Sequence, residues 1–200
     1  MSASTIHGPG ASHPTTGLRT AMTLEEALSK RRSVREFAEG AIPRDDILWL
    51  CWAAQGITSV EGHRTAPSAG ATYPLELLVA TSSGCFTYDP PHHRLIRRTE
   101  DDLRPALAWA AGGQPVVAQA AAVFVITAVP SRTTAKYGPR SARYVHLEAG
   151  HAAQNLLLLA AAMGFGAVPV GAFHDARMRE VLDVNGDHEV LYLIPVGVPA

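Results

Sequence analysis

The chain has 200 residues, of which 47% are hydrophobic and 18% are charged, and its formal net charge at pH 7 is −1. A chain so close to neutrality gives no electrostatic argument for a nucleic-acid partner or an anionic membrane partner. Its charged fraction is below the roughly 25% of an average soluble protein, which favours an oligomer that buries part of its surface.

The cysteine content and the apolar runs limit the possible compartments. Cys51 and Cys85 are too few for a disulfide framework or a Cys-x-x-Cys metal site. The first 20 residues lack the apolar region of a signal peptide, and the longest apolar run, 156–163, is shorter than the about 20 residues of a membrane span. We therefore expect a cytoplasmic protein.

The first part of the chain is predicted to contain a leader and two helices. Residues 1–21 are rich in Gly, Ser, Thr, Pro and His, which predicts a disordered leader or arm before a domain over 22–200. Thr23 and Glu26 form a capping-box pattern, which predicts a helix that ends near Lys30. A second helix is predicted from Pro43 to Gly56. Its apolar residues surround nearly the whole helix, so we expect it to pack largely against another chain.

The rest of the chain mixes helix and strand patterns. The patterns predict strands over 75–81, 121–129, 167–171 and 189–196, a hairpin over 86–97, and helices over 101–111, 141–163 and 176–182. The run over 121–129 is apolar throughout, which is typical of a strand buried on both faces. Because the order is not a strict alternation of strands and helices, the prediction is an α+β fold with a central sheet.

Several common catalytic motifs are absent from the sequence. It contains neither dinucleotide-binding nor phosphate-loop glycine patterns, and no Gly-x-Ser-x-Gly nucleophile motif. Glu148 and His151 form a single Glu-x-x-His pair, whereas a helix-bundle di-iron site needs two such pairs. We therefore predict no metal site.

A basic segment follows the first predicted helix. It contains three arginines and a serine: Arg31, Arg32, Ser33 and Arg35. In an extended segment, alternate residues share one face, and arginine forks with a hydroxyl suit a phosphate monoester. A solvated basic turn is the alternative interpretation.

Three later segments accompany the arginine segment in a fixed order. They are RTAPSAGATYP (residues 64–74), KYGPRSARY leading into HLEAGHAAQNL (136–156), and GFGAVPVGAF (164–173). Together these segments resemble the FMN-dependent nitroreductase superfamily over about residues 22–199. Within it they look most like the azoline dehydrogenases, which oxidise thiazolines or oxazolines to thiazoles or oxazoles in peptide natural products.

The resemblance implies a fold, an assembly and a cofactor. The fold would have a central, mainly antiparallel sheet flanked by helices, and two intertwined chains would form a homodimer with FMN sites at the interface. Arg31, Arg32, Ser33 and Arg35 would hold the FMN phosphate and ribityl chain. Pro67, Ser68, Ala69 and Gly70 would approach the isoalloxazine from the other subunit, and Gly171 and Ala172 would lie near its N5 atom.

The resemblance also implies catalytic residues. Lys136 and Tyr137 would form the base that accepts a proton from the azoline ring, while a hydride equivalent passes to N5 of FMN and O₂ reoxidises the flavin. An exposed loop lysine without a catalytic role is the alternative for Lys136.

Two departures refine the expected substrate. Ala71 and Tyr73 stand where ordinary nitroreductases carry Asn and Gln, which favours the dehydrogenase branch. The 200 residues leave no room for the extra peptide-binding region of many azoline dehydrogenases, so a biosynthetic partner protein would present a peptide or carrier-bound azoline. Two other functions stay open: an NAD(P)H-dependent reductase of nitro compounds, quinones or flavins, and a non-catalytic flavin-fold scaffold subunit.

Overall fold

Thr20, residues 22–184 and residues 186–200 are described by the computed structural model of the chain. The leader or arm predicted over 1–21 lies outside these residues, except for Thr20. The helices are α1 (Leu24–Lys30), α2 (Arg44–Gln55), α3 (Arg104–Ala110), α4 (Pro115–Gln119), α5 (Ser131–Tyr137), α6 (Ser141–Ala162) and α7 (Asp175–Val181). The strands are β1 (Leu75–Thr81), β2 (Gly84–Asp89), β3 (Arg94–Thr99), β4 (Ala122–Ala128), β5 (Gly166–Ala167) and β6 (Glu189–Gly197).

One antiparallel sheet lies at the centre, with the strand order β3-β2-β1-β4-β6-β5. Helices α2 and α6 cover one face of this sheet, and α3, α4 and α7 cover the other. All seven residues of β4 are buried, because both faces of the central strands are covered. The predicted α+β fold, a mainly antiparallel sheet flanked by helices, is confirmed. Among the described residues, no helix is long and apolar enough to cross a membrane.

The first two helices begin where their sequence signals predict. In α1, the Thr23 hydroxyl accepts from the Glu26 N–H at 3.3 Å, and the Glu26 carboxylate accepts from the Thr23 N–H at 3.0 Å. Helix α2 is capped by Pro43 and Gly56. Trp49 of α2 is only 7% exposed, because residues of the same chain bury it. Our expectation that this helix packs largely against another chain is therefore wrong.

Other elements differ from their predicted bounds. The strand predicted over 167–171 ends at Ala167, because Pro169 has no N–H with which to continue the ladder. Beyond Ala167, Val170 forms an isolated bridge with Leu193 of β6, in which each N–H donates to the other residue's carbonyl, at 2.7 and 2.9 Å. The helix predicted from residue 101 begins at Arg104, whose N–H donates to the Asp102 carboxylate at 3.0 Å. Helices α4 and α5 were not predicted.

The register of the sheet defines two ends that matter for the site. At one end, Leu75 pairs with Ala128, which pairs with Glu189 at the start of β6; we call this the Leu75 end. At the other, Ala167 pairs with Val196 near the finish of β6; we call this the Ala167 end. Seven residue steps along β6 separate the two ends, a distance of roughly 23 Å.

Candidate functional site

The arginine segment lies at the Ala167 end of the sheet. The Val34 N–H donates to Ala167 O at 3.1 Å, and the Ala38 N–H donates to Val198 O at 2.9 Å. These bonds hold the segment between β5 and the last residues of the chain. Val34 is half-buried, while Ser33 and Arg35 on either side of it are exposed. Arg32 and Glu36 are exposed as well, so exposure does not alternate along the segment, and the shared face of Arg31, Ser33 and Arg35 stays a prediction.

The charges of this segment are not neutralised within the chain. Among the described residues, Arg31, Arg32 and Arg35 form no ion pair with a carboxylate. The Arg32 guanidinium donates to the backbone carbonyls of Ser29 and Arg31, at 2.9 and 2.8 Å. Three guanidiniums without a carboxylate partner provide a site suited to a phosphate group.

The Pro67–Gly70 loop lies at the opposite, Leu75 end, and its backbone is unusual. Gly70, Ala71 and Tyr73 all have positive φ, at 59°, 55° and 44°. For Ala and Tyr this conformation costs of order 1–3 kcal/mol each, so surrounding contacts must hold it. The Tyr73 N–H donates to Ser68 Oγ at 3.0 Å, and the hydroxyls of Thr72 and Thr133 lie 2.9 Å apart.

Lys136 and Tyr137 meet this loop at Gly70. The Lys136 ammonium donates to Gly70 O at 3.2 Å. A Cβ atom at position 70 would lie 2.5 Å from both Lys136 Nζ and the Tyr137 hydroxyl oxygen, so a larger residue would displace these two groups, and the φ of 59° also favours glycine. The two residues stand in the last turn of α5, a helix that was not predicted. The structure thus brings together two groups predicted separately, although their catalytic role stays a prediction.

A cluster of polar side chains, of which Gln55 and Glu148 are buried and the others half-buried, lies next to the loop. It consists of Gln55, Arg64, Ser68, Tyr73 and Glu148, and we call it the buried polar cluster. The Arg64 guanidinium lies 4.7 Å from the centre of the Tyr73 ring and donates to the Gln55 side-chain oxygen. Glu148, on α6, is 2% exposed. Burial raises the pKa of its carboxyl to about 7, against the opposing effects of a hydrogen bond from Ser68 and the charge of Arg64.

Sequence reasoning missed the role of Glu148 in this cluster, although a signal existed. We considered Glu148 only as half of a metal motif. Val145 and Ala152, three residues before it and four residues after it on the same helix face, are both buried. An acidic residue on the buried face of an otherwise apolar helix requires a partner, and that requirement indicates a polar site behind the loop.

Gly171 and Ala172 follow Val170, which pairs with Leu193, so they lie nearer to the start of β6 than Ala167, which pairs with Val196. Both are exposed, and Ala172 O accepts from the Gln114 side chain at 3.0 Å. Gly171 borders a cleft of about 510 Å³ beside β6. The other residues that line it are His146, Phe173, Asp175, Arg179, Glu189, Val190 and Leu191. Its volume is within the range of small-molecule sites.

A single chain does not bring all the predicted site residues together. The arginine segment lies beside Ala167, four residues before Gly171, whereas the Pro67–Gly70 loop and Lys136 lie at the Leu75 end. The roughly 23 Å between the two sheet ends keeps these groups apart within one chain. The chain therefore holds the predicted site residues in two separate groups, at the Ala167 end and at the Leu75 end, which we call the two half-sites.

Comparisons with known proteins identify the family to which this chain belongs. The model of the nitroreductase family matches residues 28–198. The chain belongs to the nitroreductase family. This family consists of flavin-dependent oxidoreductases, and the predicted family resemblance is confirmed at this level. The narrower resemblance to azoline dehydrogenases stays a prediction.

Individual relatives agree with the family. A Methanocaldococcus jannaschii protein described as a nitroreductase is 42% identical over 180 residues, which cover 87% of this chain and 90% of that protein. The crystal structure of a Ralstonia eutropha JMP134 protein, also described as a nitroreductase, has a TM-score of 0.85 at 29% identity and covers 96% of this chain and 89% of its own. The NADPH:FMN oxidoreductase of Vibrio harveyi, solved with NAD⁺, shares the fold, with a TM-score of 0.66 at 22% identity over 88% of this chain and 68% of its own.

Proposed function

We propose that this member of the nitroreductase family is an FMN-dependent dehydrogenase that converts thiazoline or oxazoline rings into thiazoles or oxazoles. The proposal is based on the positions of Lys136 and Tyr137 next to Gly70. The Lys136 amine donates to Gly70 O, and the Tyr137 hydroxyl lies beside the same residue. Ring oxidation removes a proton as well as a hydride, so it needs a base beside the flavin. A reductase of small electrophiles has no such need.

The residues present fit FMN. The arginine segment offers unpaired guanidiniums for one phosphate, Gly70 allows the loop to approach closely, and the cleft beside Gly171 has room for a ligand. Arg31, Arg32, Ser33 and Arg35 would hold the phosphate and ribityl chain, and the Pro67–Gly70 loop and residues 171–172 would contact the ring system. When bound, FMN supplies the acceptor for the hydride.

Lys136 would take the proton. In its neutral form the amine can donate an N–H to Gly70 O and keep its lone pair free for a proton from the substrate. The carbonyl contact thus fixes the position of the nitrogen without using its basic site. The Tyr137 hydroxyl also lies beside Gly70. It can orient the amine or relay the proton to it.

The separation of the two half-sites supports a homodimer. If one FMN contacts both the arginine segment and the Pro67–Gly70 loop, the two contacts must come from different chains, because each chain holds them at opposite ends of its sheet. Two such sites would form per dimer. The low charged fraction of the chain agrees with a large buried interface.

The azoline would arrive on a partner. The described elements build the sheet and its two helical layers, and no additional unit for binding a peptide is found among the described residues. We therefore infer that a biosynthetic partner protein presents a peptide or carrier-bound azoline in the cytoplasm.

A second candidate is an NAD(P)H-dependent reductase of nitro compounds or quinones. It is favoured by the relative at 42% identity, which is described as a nitroreductase. The two candidates differ in the direction of electron flow, since one oxidises its organic substrate and the other reduces it.

One experiment separates the candidates. The purified protein is heated to release its flavin, which is identified beside FMN and FAD standards. The holoprotein is then incubated in air with a thiazoline-containing peptide, and mass spectrometry follows the loss of two hydrogen atoms per ring. A parallel assay follows NADPH consumption with a nitroaromatic acceptor.

Each outcome selects one function. Aromatised peptide with slow NADPH consumption supports the dehydrogenase, and rapid NADPH-driven nitro reduction without aromatisation supports the reductase. A colourless protein that does not take up FMN would indicate a non-catalytic scaffold subunit.

A further inference from the structure

Helix α5 contacts the loop before β1 at more than one point. The Lys136 amine donates to Gly70 O at 3.2 Å, and one helical turn earlier the hydroxyl oxygens of Thr133 and Thr72 lie 2.9 Å apart. Lys136 is exposed, whereas Thr133 is only 1% exposed. The threonine pair is therefore the buried part of the contact between the helix and the loop, a part that the proposed chemistry leaves unused.

The hydrogen bonds of the two threonines have a direction. A hydroxyl has one hydrogen to donate. The Thr72 hydroxyl gives its hydrogen to Ala69 O, 3.1 Å away, because a carbonyl oxygen can only accept. The hydrogen between the two threonines therefore comes from Thr133, and Thr72 accepts it. The result is a chain of two hydrogen bonds from Thr133 through Thr72 to Ala69 O, in which each bond strengthens the other.

The loop backbone is strained on both sides of Thr72. Ala71 and Tyr73 have φ values of 55° and 44°, in the left-handed region that residues with a Cβ atom disfavour. Without contacts from other parts of the chain, this stretch favours another conformation, and the carbonyl group of Gly70 would move with it. A hydrogen bond to Thr72 therefore helps to keep the loop in the conformation that meets Lys136.

Thr133 also lies next to both residues of the proposed base on the surface of α5. It precedes Lys136 by three residues and Tyr137 by four, and residues at these two spacings are neighbours on a helix. A helix of seven residues is too short to be stable alone, so contacts with the rest of the chain set its position. The hydrogen bond from Thr133 to the loop fixes the helix at the turn that leads to the amine and the phenol.

We propose that Thr133 is a positioning residue, which holds the Lys136 amine at the place where it accepts the azoline proton by donating a hydrogen bond to Thr72. The inference rests on the proposed function, because it takes Lys136 to be the base. Thr133 acts on the geometry of the proton transfer and not on its chemistry. This geometry matters, because a displacement of a reacting group by about 1 Å can cost on the order of 10²-fold in rate.

Thr133→Val tests this role, because valine has nearly the shape of threonine but no hydroxyl. We expect kcat for the oxidation of a thiazoline-containing peptide to fall roughly ten- to a hundredfold, since the amine is no longer held in place. The KM for the peptide and the flavin content should stay close to those of the wild type, because binding does not use this hydrogen bond. Thr133→Ser keeps the donor and should recover most of the rate.

Two further variants separate this hydrogen bond from a general loss of stability. Thr72→Val removes the acceptor at the half-buried end of the bond, so it should reproduce the fall in kcat even if Thr133→Val does not fold. Thr81→Val is the matched control. It removes another buried threonine hydroxyl, which contacts Ser83 Oγ at 3.0 Å and Gly84 O at 3.3 Å at the far end of β1. Its kcat should equal that of the wild type.

The lysine content of the chain allows a measurement that needs neither turnover nor substrate. Lys30 and Lys136 are the only two lysines of the sequence. Reductive methylation with carbon-13-labelled formaldehyde marks both amines, and Lys30→Arg identifies which nuclear magnetic resonance signal belongs to Lys136. Thr133→Val should move the Lys136 signal and leave in place that of Lys30, which is exposed on α1. Thr133→Ser and Thr81→Val should leave both signals at their wild-type positions.

The contrary results are distinct. The same kcat in Thr133→Val and the wild type, or a Lys136 signal that does not move, would overturn the role of Thr133 and leave the proposed function standing. Equal losses for the Val and Ser variants, or for Thr133→Val and Thr81→Val, would also overturn it, because the hydroxyl would then have no specific effect. A flavin-loaded wild-type protein that does not oxidise azolines would overturn the proposed function, and this inference with it.

Discussion

At the scale of single residues, Gly70 is the point where two side chains and a carbonyl oxygen converge. Lys136 donates to Gly70 O, and the arginine segment that would anchor FMN lies at the other end of the sheet. We therefore expect Lys136→Ala to keep the yellow flavin spectrum while it slows azoline oxidation by about 10²–10⁴-fold, the usual cost of losing a general base. Steady-state aromatisation rates, with flavin content measured on the same samples, check this.

The neighbouring residues supply the controls for Lys136. Arg140→Ala removes an exposed cation from the turn just after α5 and should leave the rate unchanged. Tyr137→Phe should cost less than Lys136→Ala if the phenol only orients the amine, and as much if it relays the proton. Wild-type turnover by Lys136→Ala would rule out the lysine as the base.

The arginine segment gives a complementary prediction for binding. Arg35→Ala should weaken FMN affinity by about 1.5–3 kcal/mol, the value of a hydrogen bond to a charged group. The reason is that Arg35 is exposed and makes no ion pair with a carboxylate of the described residues, so its charge is available to the phosphate. Fluorescence titration with FMN measures the change. The same affinity in variant and wild type would place the phosphate elsewhere.

The sequence predicted some of these residues better than others. Lys136 and the Pro67–Gly70 loop were predicted because they belong to ordered segments that resemble a family. Glu148 and Arg64 were not predicted as a pair, since 84 residues separate them and only the packing of α6 behind the loop brings them together. The positive φ of Ala71 and Tyr73 was also not predicted, because neither residue type favours that conformation.

At the scale of elements, α1 positions the arginine segment, since it ends at Lys30 and the segment begins at the next residue. Thr23→Ala removes the side-chain half of the capping box and should lower the free energy of unfolding by about 1 kcal/mol. Thr23→Ser keeps the hydroxyl and should stay close to the wild type. Urea unfolding followed by circular dichroism measures both variants, and equal losses for Ala and Ser would show that the cap contributes no stability.

Helices and strands with a clear pattern in their own residues were predicted from the sequence, whereas those that depend on distant contacts were not. The apolar run of β4 requires burial on both faces, and α6 carries a long apolar stripe, so both were predicted. Helix α5 has the sequence SRTTAKY, in which two threonines lower helix propensity and no apolar stripe exists. Its conformation depends instead on contacts such as that of Thr133 with Thr72 across the loop, which a local pattern cannot show.

At the scale of the whole molecule, the separation of the two half-sites would make the proposed dimer a condition for activity. The antiparallel sheet holds the Pro67–Gly70 loop at one end and the arginine segment at the other. In the proposed dimer, each half-site would be completed by the other chain. A two-fold axis that places the Leu75 end of one chain beside the Ala167 end of the other completes two equivalent sites at once.

Mixed dimers test this arrangement directly. In a heterodimer of an Arg35→Ala chain and a Lys136→Ala chain, one site would receive both substitutions, whereas the other would receive Arg35 from the second chain and Lys136 from the first. Such heterodimers, isolated with two different affinity tags after coexpression, should recover about half of the wild-type activity at limiting FMN, although each homodimer is inactive. If both residues served a site within their own chain, each site of the heterodimer would carry one substitution and no activity would return. Recovery of activity in the mixed dimer therefore requires that the flavin anchor and the base come from different chains.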